Sequence, residues 1–187
     1  MAREYTSIEE ISNYLTLNID ENFESQLEKW IEAMSDYVSN YTNREWSVTE
    51  VETRLYTGNN TNNISIDEAI SIVSVEMGGD DITDDVESYP LNSLPIRRLF
   101  YRNGIFLKDY GNIAVEGIFG ASSTIPEDIR FITTVLVAGI ILAQTQQEGE
   151  VKSEKIGNYS VTYDTESQKS DYEMAKQMLN VRRKLVI

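Results

Sequence analysis

Residues 124–143 constrain the fold most, because they predict a helix that is apolar on nearly every side. Thr124 can cap this helix through its hydroxyl, and Pro126 suits the first turn, where its missing N–H is not needed. Glu127 and Asp128 place negative charge near the positive end of the helix dipole. A helix that is apolar all round must be buried on nearly every side, so the remaining elements are expected to pack around it.

Three further helices are predicted from caps and apolar spacing. Two overlapping capping boxes at residues 6–10 begin a short helix that ends at about Leu15. A longer amphipathic helix covers residues 22–41, where apolar side chains recur every three or four positions. A last helix begins near Ser167 or Ser170 and continues to about Lys184. With the apolar helix, these make about four helices.

The middle third of the chain has strand-like patterns. Along the sequence, the N-terminal helical pair precedes this region and the apolar helix follows it. We therefore predict a small antiparallel β-unit inserted between the helices. We predict a mainly α fold with this inserted β-unit, or α+β if the insertion is counted, in a single domain of residues 1–187. The helical hairpin covers 6–46, the β-rich insertion 47–120 and the C-terminal helices 124–184. The predicted strands are 51–57, 64–66, 70–75 and a hairpin of 105–108 with 113–119 around the turn 109–112.

Composition excludes several classes of function. The chain of 187 residues has no cysteine and no histidine, which removes disulfides, thiolate metal sites and every nucleophile paired with histidine. A net charge of −15 argues against binding nucleic acid by phosphate neutralisation. The longest apolar run falls well short of the roughly 20 residues that cross a bilayer, so no membrane contact is expected. We expect no enzyme activity, no catalytic residues, no cofactor and no metal.

Residues 156–163 alternate between apolar and polar side chains, as a half-buried strand does, yet no neighbouring strand is evident. Such a segment can add to the sheet of a partner protein. Alternatively, it caps the chain's own sheet, for example beside residues 51–57. Alternation alone does not decide between these two readings.

The order of these segments resembles the head–tail connector, or head-completion adaptor, proteins of long-tailed bacteriophages. Three stretches carry the resemblance: the N-terminal helical pair over residues 6–46, the sequence VEGIFGASSTIPEDIRFITTVLVAGIILAQ, and KSEKIGNYSVTYD followed by a terminal helix. Residues 47–112 depart from it, because this β-region is longer than is usual in the family. The resemblance covers more than half of the chain.

The resemblance implies a structural virion protein of the neck, assembled in the host cytoplasm. It implies a ring of about twelve copies, built by head-to-tail contacts between subunits, that extends the DNA channel below the portal protein. Its partners would be other copies of the chain, the portal protein and a neck or tail completion protein, while DNA passes without specific binding. The predicted interaction residues are Ile156, Tyr159, Val161, Tyr163, Tyr172, Arg182, Arg183 and Lys184.

An acidic cluster in the middle third has two readings. Asp80, Asp81, Asp84 and Asp85 could face the channel and repel DNA, or they could form an ordinary solvated loop. Two alternatives for the whole chain also stay open. One is another neck protein, such as a tail-completion or stopper subunit, and the other is a metal-binding protein that uses these carboxylates.

Overall fold

The computed structural model describes residues 4–16, 21–145, 152–156, 159–163 and 166–184. The chain divides into two compact units. The helical unit comprises Met1–Arg44 with Ile125–Ile187, and the β unit comprises Glu45–Thr124.

The elements follow one another in an α–β–α order. In sequence they are α1 (Ile8–Leu15), α2 (Glu21–Thr42), β1 (Glu52–Tyr56), β2 (Asn63–Met77), β3 (Asp80–Asp81), a 3₁₀ turn (Thr83–Asp85), β4 (Val86–Tyr89), β5 (Ile96–Tyr101), β6 (Ile113–Phe119), α3 (Glu127–Thr145), β7 (Lys152–Ile156), β8 (Tyr159–Tyr163) and α4 (Glu166–Arg182).

The helical unit is built around α3, as its apolar sequence predicts. Every residue from Ile132 to Ile141 is buried. α1, α2 and α4 all contact α3. Their buried side chains are Ile11 of α1; Leu27, Ile31, Met34 and Val38 of α2; and Tyr172, Ala175 and Leu179 of α4.

The ends of α1 follow from local chemistry. Ser7 and Glu10 form a complete capping box, in which each side chain accepts a hydrogen bond from the backbone of the other. This satisfies two donors that the first turn leaves free. The helix ends at Thr16, whose φ of 54° is left-handed and breaks the helical path. The capping box over residues 6–10 is therefore confirmed at Ser7 and Glu10.

Polar side chains join the helices across the core. The Tyr5 hydroxyl lies 2.6 Å from Ser39 Oγ, and Thr6 Oγ1 lies 2.6 Å from Thr134 Oγ1. Tyr14 donates a hydrogen bond to Asp171 of α4 at 2.9 Å. These bonds fix the register between elements that are far apart in sequence, since a buried hydroxyl without a partner is costly.

The β unit contains a six-stranded antiparallel sheet. Five strands lie in the order β1-β6-β2-β5-β4, and β3 pairs with the end of β2. The 15-residue β2 is shared by two partners, because its first half pairs with β5 and its second half with β6. Register shifts interrupt both pairings, and such bulges bend a long strand.

A compact apolar core lies against this sheet. Its fully buried members come from β2, β5, β6 and one loop: Ile64, Ala69, Val75, Leu99, Phe106, Ile113, Val115 and Phe119. Phe106 lies in the loop between β5 and β6. Its N–H donates to the Thr61 carbonyl and its carbonyl accepts from the Asn60 N–H, both at 2.8 Å. The loop therefore contributes to the core as a strand would.

The two ends of the β unit lie side by side. The Ala121 N–H donates to the Glu45 carbonyl at 2.7 Å, and the Thr49 N–H donates to the Phe119 carbonyl at 2.9 Å. Gly120, which lies between these bonds, has a φ of 151°. A Cβ there would lie 2.6 Å from the Ser47 carbonyl oxygen, so the close approach requires glycine.

The predicted mainly α fold with a small insertion is wrong, and the fold is α+β. The insertion is a full six-stranded sheet with its own core. Three of its strands, β3, β4 and β5, were not predicted, and the segments 64–66 and 70–75 form one strand. The predicted hairpin of 105–108 with 113–119 is also wrong. β6 pairs with β1 and β2, while Phe106 lies in a loop and packs in the core.

The segment 156–163 is not a single strand without a neighbour. β7 and β8 pair with each other as an antiparallel hairpin, in the register Ile156↔Tyr159 to Lys152↔Tyr163. This hairpin forms a separate two-stranded sheet within the helical unit, where β8 runs beside α3. Among the described strands, β8 pairs with β7 and residues 52–56 pair with β6, so the predicted pairing of 156–163 with residues 51–57 is not found.

Candidate assembly surfaces

The predicted interaction residues are spread over the β7–β8 hairpin and α4. Ile156, Tyr159, Val161 and Tyr163 belong to the hairpin by their backbone, but their side chains lie outside the described residues. Tyr172 is only 3% exposed and packs in the core of the helical unit. It is therefore placed as a core residue of α4 rather than at its surface.

The basic end of α4 makes contacts within the helical unit. Arg182 Nε donates to Asp128 Oδ2 at 2.6 Å, which ties the end of α4 to the start of α3. The Arg183 guanidinium lies 5.6 Å from the centre of the Tyr41 ring, a cation–π distance. The Lys184 N–H donates to the Thr42 carbonyl, and its side chain is exposed.

The acidic cluster forms a structured loop after β2. Asp80 and Asp81 make the short β3, and Asp84 and Asp85 lie in the 3₁₀ turn. Hydrogen bonds from the Thr83 hydroxyl and N–H hold the pKa of Asp81 below its usual value. Among the described residues, no group of three or more acidic side chains is placed to hold a metal ion. Whether these carboxylates face a channel stays a prediction.

A second region, missed by sequence reasoning, exposes large apolar side chains. The connection between β4 and β5 holds Leu91 at 71% exposure and Leu94 at 57%, and Tyr89 before it is 49% exposed. On the adjacent strand Phe100 meets the Tyr89 ring edge-on, with centroids 6.3 Å apart. Arg98 is the direct cross-strand partner of Tyr89. We call Tyr89, Leu91, Leu94, Arg98 and Phe100 the hairpin surface.

A third region lies at the opposite edge of the sheet. Leu55 of β1 is 68% exposed and Val51, just before the strand, is 53% exposed. The neighbouring rows are Leu55–Ala114–Glu76 and Thr53–Glu116–Ser74, so two carboxylates and no basic residue accompany the apolar side chains. We call Val51, Thr53, Leu55, Glu76 and Glu116 the β1 surface.

The inner face of β1 is engaged within the β unit. Arg54 bonds to both Glu52 and Asp67, and its guanidinium lies 4.2 Å from the centre of the Phe119 ring. Partial burial acts against the charge, but the two carboxylates outweigh it and raise the pKa of Arg54. Burial is also the main cause of a raised pKa at Tyr56, which bonds to Asp67. The side chains of Arg54 and Tyr56 are thus half-buried, whereas Thr53 and Leu55 on the opposite face are exposed.

Sequence reasoning missed the hairpin surface because SYPLNSLP reads as an ordinary turn region. The signal in it was a pair of leucines between two prolines, where turn residues are usually polar.

No helix in the described parts of the chain has the length and apolarity needed to cross a membrane.

The chain matches one protein family over almost its whole length. The model of the head completion protein family matches residues 4–184. The neck of an empty gene transfer agent particle, computed with C6 symmetry, contains a chain of similar fold at a TM-score of 0.59 and 11% identity, over 100% of this chain and 97% of that one.

Two further structures share the fold. A chain in the virion of a native gene transfer agent particle has a TM-score of 0.57 and 10% identity, over 98% of this chain and 91% of that one. A chain in the neck of a native particle, computed with C12 symmetry, has a TM-score of 0.53 and 10% identity, over 100% and 97%. No curated protein matches.

The family match spans both units. The chain therefore belongs to the head completion protein family and is a structural protein of the head–tail neck of a phage-like virion.

Proposed function

We propose that this chain is one subunit of a closed ring in the neck, and that the ring joins the portal protein to a neck or tail completion protein. One observation carries this proposal. Chains that cover both units of this one almost end to end occur in necks computed with C6 and C12 symmetry. A cyclic arrangement requires two different contact surfaces on each subunit, and the β unit exposes two.

In this role the two units act together as a single connector domain without catalysis. The charge of −15 per subunit would give the ring an acidic wall that does not retain DNA. Asp80, Asp81, Asp84 and Asp85 are the proposed channel-facing group. Their replacement by asparagine is expected to leave the ring intact and to increase the fraction of rings that bind linear DNA in a low-salt filter assay.

The ring is tested by measuring its mass. Light scattering gives the mass of the purified chain, alone and with the portal protein. In the presence of portal, we expect the mass of this chain in the complex to be a fixed whole-number multiple of the subunit mass. A chain that remains a monomer with portal at concentrations well above micromolar would contradict the proposal. The measurement needs no altered residue, so a folding defect cannot imitate a negative result.

Portal docking is assigned to the end of α4 and the β7–β8 hairpin. Removing α4 would not test this, because Tyr172, Ala175 and Leu179 would leave the core. Lys184→Glu instead changes one exposed charge at the end of the helix, and Lys169→Glu, at an exposed position near its start, is the matched control. We expect weaker portal binding from the first variant only. Equal binding by both would remove the end of α4 from the portal contact.

A further inference from the structure

We infer that the hairpin surface of one subunit packs on the β1 surface of the next subunit. This inference rests on the proposed ring and adds which surfaces form its repeating contact. Both surfaces belong to the β unit, so the contact can be argued from that unit alone.

The hairpin surface, also called the knob below, has the composition of a protein–protein contact. Leu91 and Leu94 project from a short connection at exposures of 71% and 57%, far above what a core-forming leucine shows. The edge-on pair of Tyr89 and Phe100 supports the base of this knob. Aromatic and large apolar side chains around an arginine are typical of interface centres.

Arg98 is a cation without a carboxylate partner among the described residues. Its neighbours differ, since Arg97 Nε bonds to Glu68 at 3.0 Å and Arg102 Nε lies 3.6 Å from Glu87. Arg98 alternates with the buried Leu99 and shares the outer face with Phe100. The knob therefore presents one uncompensated positive charge beside its leucines.

The β1 surface is complementary in both respects. Leu55 and Val51 offer an apolar area, and Glu76 and Glu116 stand two strands and one strand away from β1 in the same rows. Glu76 is exposed, whereas Glu116 accepts a hydrogen bond from Ser74 at 3.1 Å. In the proposed contact, Arg98 of the hairpin surface lies opposite Glu76 of the β1 surface, and apolar side chains surround both charges.

A second copy of this chain is the occupant that fits. β4 and β1 are the two edge strands of the same sheet, so each subunit carries the knob at one edge and its complement at the other. Two unlike surfaces on one subunit give a heterologous contact, which repeats from copy to copy and closes into a ring when the rotation permits. Local charge pairing at this contact also offsets the repulsion between subunits of net charge −15.

Introduced cysteines test the contact directly, because the chain has none of its own. Leu91→Cys and Leu55→Cys are made in separate chains and oxidised singly and as a mixture. We expect a disulfide-linked dimer in the mixture, little in either single variant, and a ladder of larger species from the chain that carries both changes. Leu55→Cys mixed with Val181→Cys, a position in α4 with 84% exposure, is the matched control.

Charge exchange tests the orientation of the contact. In the Leu91→Cys and Leu55→Cys mixture, Arg98→Glu on the first chain is expected to reduce the dimer yield several-fold. Glu76→Arg on the second chain is expected to restore it. Circular dichroism of each variant shows whether the β unit remains folded, and a loss of yield that Glu76→Arg fails to restore would overturn the assigned pairing.

The outcomes separate this inference from the proposed function. A ring by light scattering without the 91–55 disulfide overturns the inference and leaves the ring in place. Equal cross-linking of Leu91→Cys with itself also overturns it, since that contact would be symmetric. Intact rings of a Leu91→Ser, Leu94→Ser variant that no longer bind the portal or a tail protein would assign the knob to that partner instead. A monomer even with portal refutes the proposed function itself.

Discussion

The helical unit and the β unit treat their apolar side chains in opposite ways. Of the twelve large apolar residues that are exposed in the described parts of the chain, ten lie in the β unit and two, Met174 and Val181, in the helical unit. The helical unit encloses α3 on all sides, whereas the β unit leaves both edges of its sheet open. Exposed apolar side chains are thus concentrated in the unit that contains the six-stranded sheet.

The two units also differ in how distant segments are joined. In the helical unit, polar and charged side chains join segments that are far apart in sequence, as in Thr6–Thr134 and Arg130–Glu10. In the β unit, backbone ladders and loop hydrogen bonds carry most of that role. The helical unit should therefore be sensitive to single polar side chains, and the β unit to changes in its backbone.

The largest effects are expected from the two cores. Ile132→Ala in α3 and Leu99→Ala in β5 each truncate a fully buried side chain and should lower the free energy of unfolding by about 2–5 kcal/mol. Denaturant unfolding monitored in single-tryptophan backgrounds follows each unit separately, since Trp30 lies in α2 and Trp46 in the β unit. Val181→Ala is the exposed control and should stay within about 0.5 kcal/mol of the parent chain. Equal stability of the parent and Ile132→Ala would contradict the central position of α3.

A backbone change in the β unit comes next. A Cβ on Gly117 would lie 2.5 Å from the Ser71 carbonyl oxygen, where β6 pairs with β2. Gly117→Ala should therefore force the strands apart and cost about 1–3 kcal/mol. Ala114→Ser, on the same strand but on its outer face, is the matched control. An unchanged midpoint for Gly117→Ala would show that the two strands separate more easily than this geometry implies.

A polar change in the helical unit should have a smaller effect. Glu10 accepts hydrogen bonds from Arg130 Nη1 at 2.8 Å, from Thr6 and from the Ser7 N–H. Glu10→Gln keeps the shape of the side chain but removes the charge, and should cost about 1 kcal/mol at pH 7. Glu9→Gln, the exposed neighbour on the first turn, is the control.

The lowered pKa of the Glu10 carboxylate sets the expected sign of a pH dependence of stability. Burial opposes its charge, but the hydrogen bonds from Arg130 and Thr6 outweigh this and hold the pKa of Glu10 below 4.5. The stabilisation is present above pH 4.5 and is lost as the pH falls through the folded pKa. The stability difference between the parent chain and Glu10→Gln should thus narrow between about pH 5 and pH 3. A difference that stays constant over this range would contradict the role of the charge.

The smallest effect is expected at the hairpin surface. Leu91→Ser with Leu94→Ser removes two exposed side chains and should change the free energy of unfolding by less than about 0.5 kcal/mol. The result sharpens the comparison, because core leucines and surface leucines of one unit then differ several-fold. A large loss of stability would mean that the knob supports its own unit rather than a partner.

The helices could be predicted from sequence because their signals are local. The Ser7–Glu10 capping box and the apolar residues of α3 act within a few positions of one another, and both are found as expected. The helix over 22–41 corresponds to α2, and the last helix to α4. Each of these helices can therefore be predicted from its own residues, without knowledge of the rest of the chain.

The sheet could not be predicted in the same way. β5 reads IRRLFY, in which adjacent arginines hide the alternation, and β4 is an edge strand of four residues. Phe106 attracted a strand prediction because it is apolar, although its burial comes from Thr61 and the core around it. Strand pairing is a long-range property, so the sequence of one strand does not identify the strand that pairs with it.

The candidate surfaces were only partly predictable for a related reason. Exposure depends on what the fold leaves uncovered, and Tyr172 of the predicted interaction set is buried against its own unit. Leu91 and Leu94 gave a weak signal as apolar residues in a turn. Nothing in the sequence placed Leu55 and Glu76 in one row, since β6 lies between their strands.

The neighbouring ends of the β unit have a consequence for how such a chain can change. Because Glu45 and Ala121 share a hydrogen bond, the entire sheet occupies the place of a single loop between α2 and α3. Insertions of this kind can be lengthened, exchanged between relatives or joined to new termini while the host scaffold keeps its connectivity. We therefore expect that the β unit can change in length without altering the connection between α2 and α3.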